Sequence, residues 1–316
     1  MGKNQHTTAT TYPPGVVITL EELMRYEYYV QDIPLLPQHP IYTILAGRHA
    51  SRLRGRGLDF EEVRIYVPGD DIRNIDWKVT ARTGETHSKV FNEEKERPTF
   101  VVVDQTSRLF FGSQQQMKSV VAAQVAALSA FYTVRRGDRV GGIVFNEERN
   151  DFIPSASSKS HVQYLLTCMA GMNAELPTRT HIRPGPEVLN EILHKTGTLV
   201  THDYVVTVIS DFSIANEDTF RYLQHIAAHN DVMLVHITDP LEAALPAGDL
   251  VLSDGLRQVL WNNNSINNAN GYTEDFENMK SRLTERCRNY RIPVIFIDTG
   301  TTVTSQMMHF FGKTNL

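Results

Sequence analysis

Residues Thr99–Asp104 read TFVVVD, a continuous apolar run that closes on a carboxylate. The same form returns at YVVTVIS, followed by Asp211, and at MLVHIT, followed by Asp239. Apolar runs rich in β-branched residues suit strands covered on both faces. Between them lie stretches with helical spacing: Gln115–Arg136, which Gly137 stops, then Ser158–Met172, Glu187–Lys195 and Glu217–His229. DRVGGIVF and, near the end, IPVIFIDT add further strands. Strands separated by helices predict βαβ units, hence an α/β fold with a mostly parallel sheet and helices on both faces. Such sheets bind ligands beyond the carboxyl ends of their strands. Asp104, Asp211 and Asp239 all fall there.

The rest of the chain narrows the function classes. Its 316 residues allow one large domain or two modest ones, and a charge of −5 gives no global basic field for nucleic acid. Arg48, Arg52, Arg54 and Arg56 cluster, but Glu61 and Glu62 follow and no aromatic residues interleave, so a nucleic-acid partner is not expected. Only two cysteines occur, Cys168 and Cys287, which suits a reducing cytoplasm. The opening MGKNQHTTATTYPP has no apolar core for a secretory signal, and no stretch approaches the ~18 apolar residues of a membrane span. A Walker A loop, a G-x-S-x-G elbow and a dinucleotide fingerprint are all absent. His225 and His229 are four residues apart but lack a third ligand, and Arg136-Gly137-Asp138 reads as a turn. WNNNSINNANGY, with six asparagines, reads as a solvated loop before the helix Asp275–Tyr290.

The first 97 residues are different in kind. Thr19–Val30 reads as a helix, with Thr19 and Glu22 forming a capping box. After a Pro-bearing linker comes a densely charged block, GRGLDFEEVRIYVPGDDIRNIDWKVTARTGETHSKVFNEEKERP. It reads as a strand at EEVRIYV, a turn at PGDD, a short helix at DIRNIDWKVTA and a strand at THSKVFNEE. Arg64, Asp70, Asp71, Arg73 and Asp76 can form arginine–carboxylate pairs that hold an irregular segment. Asp70 or Asp71 can cap the short helix after the turn. Trp77 is expected to bury its ring while its N–H finds an acceptor. The block therefore reads as structural glue, as a partner-docking surface, or, least of all, as paired catalytic acids.

That block resembles the signature of the domain of unknown function 58 family. The matching positions are Gly55, Arg56, Gly57, Phe60, Glu61, Glu62, Arg64, Tyr66, Pro68, Gly69, Asp70, Asp71, Arg73, Ile75, Asp76 and Trp77. ARTG at Ala81–Gly84, then VVVD, GDRVG and VISDF extend the resemblance over nearly everything beyond residue 19. It implies a von Willebrand factor A-like domain and work beside a MoxR-type AAA+ ATPase in protein maturation, assembly or stress. It also implies an interaction module more than an enzyme. The expected organisation is a flexible 1–18, then a helix and charged segment over 19–97 packed on the main domain, then the von Willebrand factor A-like domain over 98–316.

Domains of that type can hold a divalent metal with a D-x-S-x-S loop, a threonine from a second loop and an aspartate from a third. Here Asp104 matches the first aspartate, Thr106 the first hydroxyl and Asp211 the third-loop aspartate. Thr178 and Thr180 are candidates for the second loop. Two carboxylates with hydroxyls and waters would satisfy Mg²⁺. Arg108, however, stands where the second serine belongs, and a guanidinium cannot coordinate a cation. Three readings stay open: a metal site, an internal ion pair in which Arg108 replaces the metal, and a plain strand end. A degenerate metal-dependent adhesion site on a non-enzymatic cytoplasmic adaptor, which binds the ATPase and presents client proteins, is the expectation. A metal-dependent hydrolase using Asp104, Asp211 and perhaps Asp239 is the rival, and a nucleic-acid binder is third.

Overall fold

The structure is a computed structural model that describes residues 12–32, 58–93, 97–178, 184–246, 249–253, 258–262 and 266–312. Thr19 starts the chain's first helix, α1 (Leu20–Met24), with both halves of the expected capping box in place. The Glu22 N–H donates to Thr19 Oγ1, and the Thr19 N–H donates to Glu22 Oε2 at 2.8 Å. What reads as one helix to Val30 is broken into α1, α2 (Tyr26–Tyr29) and a 3₁₀ turn at Val30–Asp32. Ile18, Leu23, Tyr26 and Val30 are buried in the main core. The buried amide of Asn173 accepts from the Ile18 N–H at 2.8 Å, tying this segment down.

Residues 48–96 form a separate compact unit. Within it, β1 (Leu58–Ile65) pairs antiparallel with β2 (His87–Glu93), with a register irregularity between Phe60 and Glu62. Between the strands lie a 3₁₀ turn at Ile72–Asn74 and α3 (Trp77–Thr83), which ends on Gly84 at φ 79°. The acids of this block are used locally. Asp70 accepts from Arg64 Nη2 at 2.7 Å and from the Val67 N–H at 3.0 Å. Asp71 takes Arg73 side-on through Nε and Nη2, and Asp76 caps α3 through the Lys78 and Val79 N–H groups. Trp77 departs from expectation: its residue is 69% exposed. As the first residue of a seven-residue helix capped by Asp76, it needs no burial to fix its backbone.

The main sheet runs β5-β4-β3-β6-β7-β10. β3 (Thr99–Asp104) is central, parallel to β4 (Val140–Phe145) on one side and to β6 (Val205–Ser210) on the other. β7 (Asp231–Thr238) and β10 (Val294–Asp298) continue in parallel. Numbered within the sheet, this is the doubly wound order 3-2-1-4-5-6, with the switch point between β3 and β6. The edge strand β5 (Asn150–Ala156) is antiparallel to β4 and carries Pro154, which suits an edge that must not recruit another strand. This is the von Willebrand factor A-like arrangement that the resemblance implies.

Helices cover both faces. α4 (Lys118–Arg135), α5 (Lys159–Glu175) and α10 (Val303–Gly312) share one core with Val101, Val103 and Ile209. α6 (Pro186–Leu199), α7 (Glu217–Ala227) and α9 (Ile266–Asn289) share the other with Phe100, Val102 and Val208. The alternation along β3 thus feeds two cores, each fully buried side chain contributing about 1.5–3 kcal/mol. A short α8 (Pro240–Ala243) follows β7, and a hairpin of β8 (Asp249–Ser253) and β9 (Gln258–Asn262) precedes α9. The asparagine-rich stretch is therefore not all loop, since β9 ends at Asn262 and helix resumes at Ile266. Among the described residues no helix is long and apolar enough to cross a membrane.

Candidate functional site

The switch point brings together what the sequence separates. β3 ends on Asp104 and β6 runs directly into Asp211, and both side chains are buried at the carboxyl edge of the sheet. The cation that meets them is Lys118, the first residue of α4. Its side chain is 1% exposed, and its Nζ lies 2.9 Å from Asp211 Oδ2 and 2.7 Å from Glu242 Oε1. Burial disfavours the ammonium, but the two carboxylates outweigh it and hold the Lys118 pKa above its ordinary value. Asp211 responds in kind. Burial opposes its charge, yet Lys118 and the Ser213 N–H, 2.9 Å from Oδ1, keep it well below the usual carboxylate range. Glu242 shares the ammonium but is pushed up, because burial and the charge of Asp211 exceed what Lys118 returns.

Asp104 is the less comfortable acid. Burial, with a smaller contribution from the Asp211 charge, raises its pKa to about 6. The Ser210 hydroxyl donates to Oδ2 at 2.6 Å and the Thr106 N–H to Oδ1 at 2.8 Å, which limits the rise. Thr106 Oγ1 lies close enough to favour the carboxylate, but its geometry makes no hydrogen bond, so this buried hydroxyl has no partner. Behind Asp211, His236 Nδ1 accepts from the Phe212 N–H at 3.0 Å. Burial lowers its pKa to about 4 despite Asp211, so the ring is neutral at pH 7.

Arg108 does not make the ion pair expected of it. Its Nη2 donates to Ser213 Oγ at 3.2 Å, and its Nε is buried without a partner. The internal countercharge is Lys118, supplied by the helix after the loop instead of by the loop itself. This arrangement does not fit a divalent metal. Every oxygen of Asp104 and Asp211 already accepts a hydrogen bond, and a buried ammonium occupies the approach to Asp211. Among the described residues no three His, Cys, Asp or Glu side chains converge as a metal cluster. Thr178 donates to the Glu175 carbonyl at 2.7 Å and is exposed, whereas Thr180 lies outside the described residues.

Asp239 follows β7 on the same edge, but it serves its own loop. It caps α8 through the Leu241 N–H, accepts from the Ser113 N–H at 2.9 Å and takes the Thr299 hydroxyl. Arg64, Asp70, Asp71, Arg73, Asp76 and Trp77 belong to the separate hairpin unit. Lys118, Glu242, Ser210 and His236 are members of the site that sequence reasoning misses. The available signal for Lys118 is a lysine opening MKSVVAAQV, whose neighbours are mostly small or apolar. Its partner Glu242 lies 124 residues away.

Comparison with known proteins places the chain. It is 29% identical over 248 residues to an uncharacterized protein of Mycobacterium tuberculosis strain H37Rv and equally to one of Mycobacterium bovis, covering 78% of this chain and 76% of each relative. Among solved structures, it is similar to the conserved hypothetical protein BatB from Bacteroides thetaiotaomicron, with 13% identity, TM-score 0.41, and 69% and 98% of the two chains covered. The SpRpn10 VWA domain is similar at 9% identity and TM-score 0.37, over 68% and 95%. The model of the family described as "Protein of unknown function DUF58" matches residues 62–278, and the chain belongs to that family.

Proposed function

We propose that this protein is a non-enzymatic adaptor that works in the cytoplasm with a MoxR-type AAA+ ATPase and presents client proteins to it. The observation that carries the reading is the surface of the family-specific unit. Ile65, Val67, Ile72 and Trp77 are between 53% and 69% exposed. Ile65 and Val67, two residues apart on extended backbone, share a face. Large apolar side chains gathered on so small a charged unit are the mark of a contact surface. Because Arg64 and Arg73 are paired with Asp70 and Asp71, the segment that bears these side chains is held in shape.

The rival hydrolase draws no support from the carboxyl edge. Lys118 holds Asp211, and both oxygens of Asp104 accept hydrogen bonds from within the chain, an arrangement that favours a structural role over that of a hydrolytic acid. The test is capture from native lysate with the tagged full chain and with an Ile72→Ser/Trp77→Ser variant, read by mass spectrometry. The adaptor reading expects a MoxR-type AAA+ ATPase with the first and its depletion with the second. An ATPase absent from both, or retained equally by both, would overturn it.

A further inference from the structure

We propose that the groove between α8, α9 and β10 seats an arginine side chain of a client protein. The inference rests on the adaptor reading and names the chemistry of what the adaptor presents. The groove opens beyond the carboxyl ends of β7 and β10 and encloses about 730 Å³. Pockets that hold ligands span about 300–1,000 Å³. The crevice beside Arg108, by contrast, encloses about 10 Å³, room for a single water. Phe276, Glu277 and Lys280 of α9 form one wall of the groove, and Phe296 and Asp298 of β10 form the other. Its polar groups are within reach of an incoming side chain: the side chain of Glu277 is 59% exposed, and that of Lys280 29%.

The charge of the lining selects a cation. Three carboxylates, Asp239, Glu277 and Asp298, stand against one ammonium, that of Lys280. Lys280 Nζ lies 3.1 Å from Glu277 Oε1, so its charge is already matched. Among the described residues Asp239 and Asp298 accept only from uncharged donors. Asp298 Oδ1 holds the Gly300 and Thr301 N–H groups at 2.8 and 3.2 Å, which fixes the carboxylate and leaves Oδ2 for a ligand. The aromatic walls favour the same occupant. Lys280 Nζ lies 5.3 Å from the Phe276 ring centre and 5.2 Å from that of Phe296, so these rings already hold one cation of the chain's own. A guanidinium is planar and weakly hydrated, and it can lie on an aromatic face while its N–H groups reach a carboxylate.

The experiment follows the backbone amides of Gly300 and Thr301 by ¹⁵N NMR on the full chain. The peptide acetyl-Gly-Arg-Gly-amide is titrated in parallel with its citrulline counterpart, which keeps the shape of arginine without the charge. Saturable shifts are expected with the arginine peptide, and binding weaker by about five-fold with citrulline. Asp298→Asn, which keeps the acceptor for the two amides, and Glu277→Gln should each weaken arginine binding by about two- to five-fold. Lys280→Gln removes the resident cation and should tighten it by about two-fold. Equal binding of the two peptides, no saturable shift, binding unchanged in both acid variants, or weaker binding in Lys280→Gln would each overturn the proposal. Any of these leaves the adaptor reading intact, since that reading stands on ATPase capture. An arginine-selective groove in a chain that captures no ATPase would remove the adaptor reading alone.

Discussion

Lys118 Nζ lies 2.9 Å from Asp211 Oδ2, joining the first turn of α4 to the residue that follows β6. A cation in a helix's first turn works against the helix dipole. Its presence there, 1% exposed, is explained by the two carboxylates it meets and by nothing in the helix itself. Lys118→Met should destabilise the sheet domain by about 3–5 kcal/mol, since it leaves Asp211 buried without a countercharge. Lys118→Met with Asp211→Asn should recover a large part of that loss. Urea denaturation of the two single variants and the double variant gives the coupling, expected above about 1 kcal/mol. Additive losses would mean that the two residues do not depend on one another.

Asp104 and His236 give opposing pH dependences. The Asp104 pKa is raised to about 6, so between its ordinary value and 6 the folded state holds a proton that the unfolded state has lost. Its contribution to stability therefore grows as pH falls, by about 1 kcal/mol from pH 7 to 5. His236 is depressed to about 4, so below its ordinary 6.5 the unfolded state gains a proton that the folded state refuses. That contribution is lost as pH falls, by about 2 kcal/mol over the same interval. In the parent chain the first offsets about half of the second. Asp104→Asn removes the first and should make the drop in stability from pH 7 to 5 steeper by about 1 kcal/mol, measured by denaturant titration at both pH values. An unchanged or shallower drop would show that Asp104 ionises normally in the fold.

Trp77 should separate stability from recognition. Its residue is 69% exposed, so Trp77→Ala is expected to change the stability of the chain by no more than about 0.5 kcal/mol. Fluorescence quenching by acrylamide, with Trp261 replaced to isolate the signal, should report an accessible indole. A protected Trp77, or a loss of several kcal/mol in the variant, would return it to the structural role that its residue type suggests.

The sheet is legible because its strands are the kind that sequence shows best. TFVVVD, YVVTVIS and MLVHIT are buried on both faces, so they are apolar throughout and end abruptly on acids. Asp104 and Asp211 can be placed at one edge on that ground alone. β5 is not legible, because NDFIPSA mixes polar with apolar residues and is interrupted by Pro154, as an edge strand can be. The strands of the β8–β9 hairpin are only five residues each. Lys118 is hidden for another reason. A lysine acquires meaning only from what it touches, and its partners are Asp211 and Glu242, each brought in by a different crossover. Arg108 stands out because it sits in a recognisable loop, whereas the deeper cation comes from the helix beyond. Trp77 misleads by its residue type, since aromatic rings are usually well buried.

The central claim is that the resident cation of the carboxyl edge is the Lys118 ammonium. Its most direct test is a calorimetric titration of Mn²⁺ into the purified full chain at pH 7, repeated with Asp104→Asn and Asp211→Asn. No saturable site is expected in the parent chain, and no difference between it and the two variants. One-to-one binding by the parent chain that is lost in both variants would contradict the account and put a metal where Lys118 now stands.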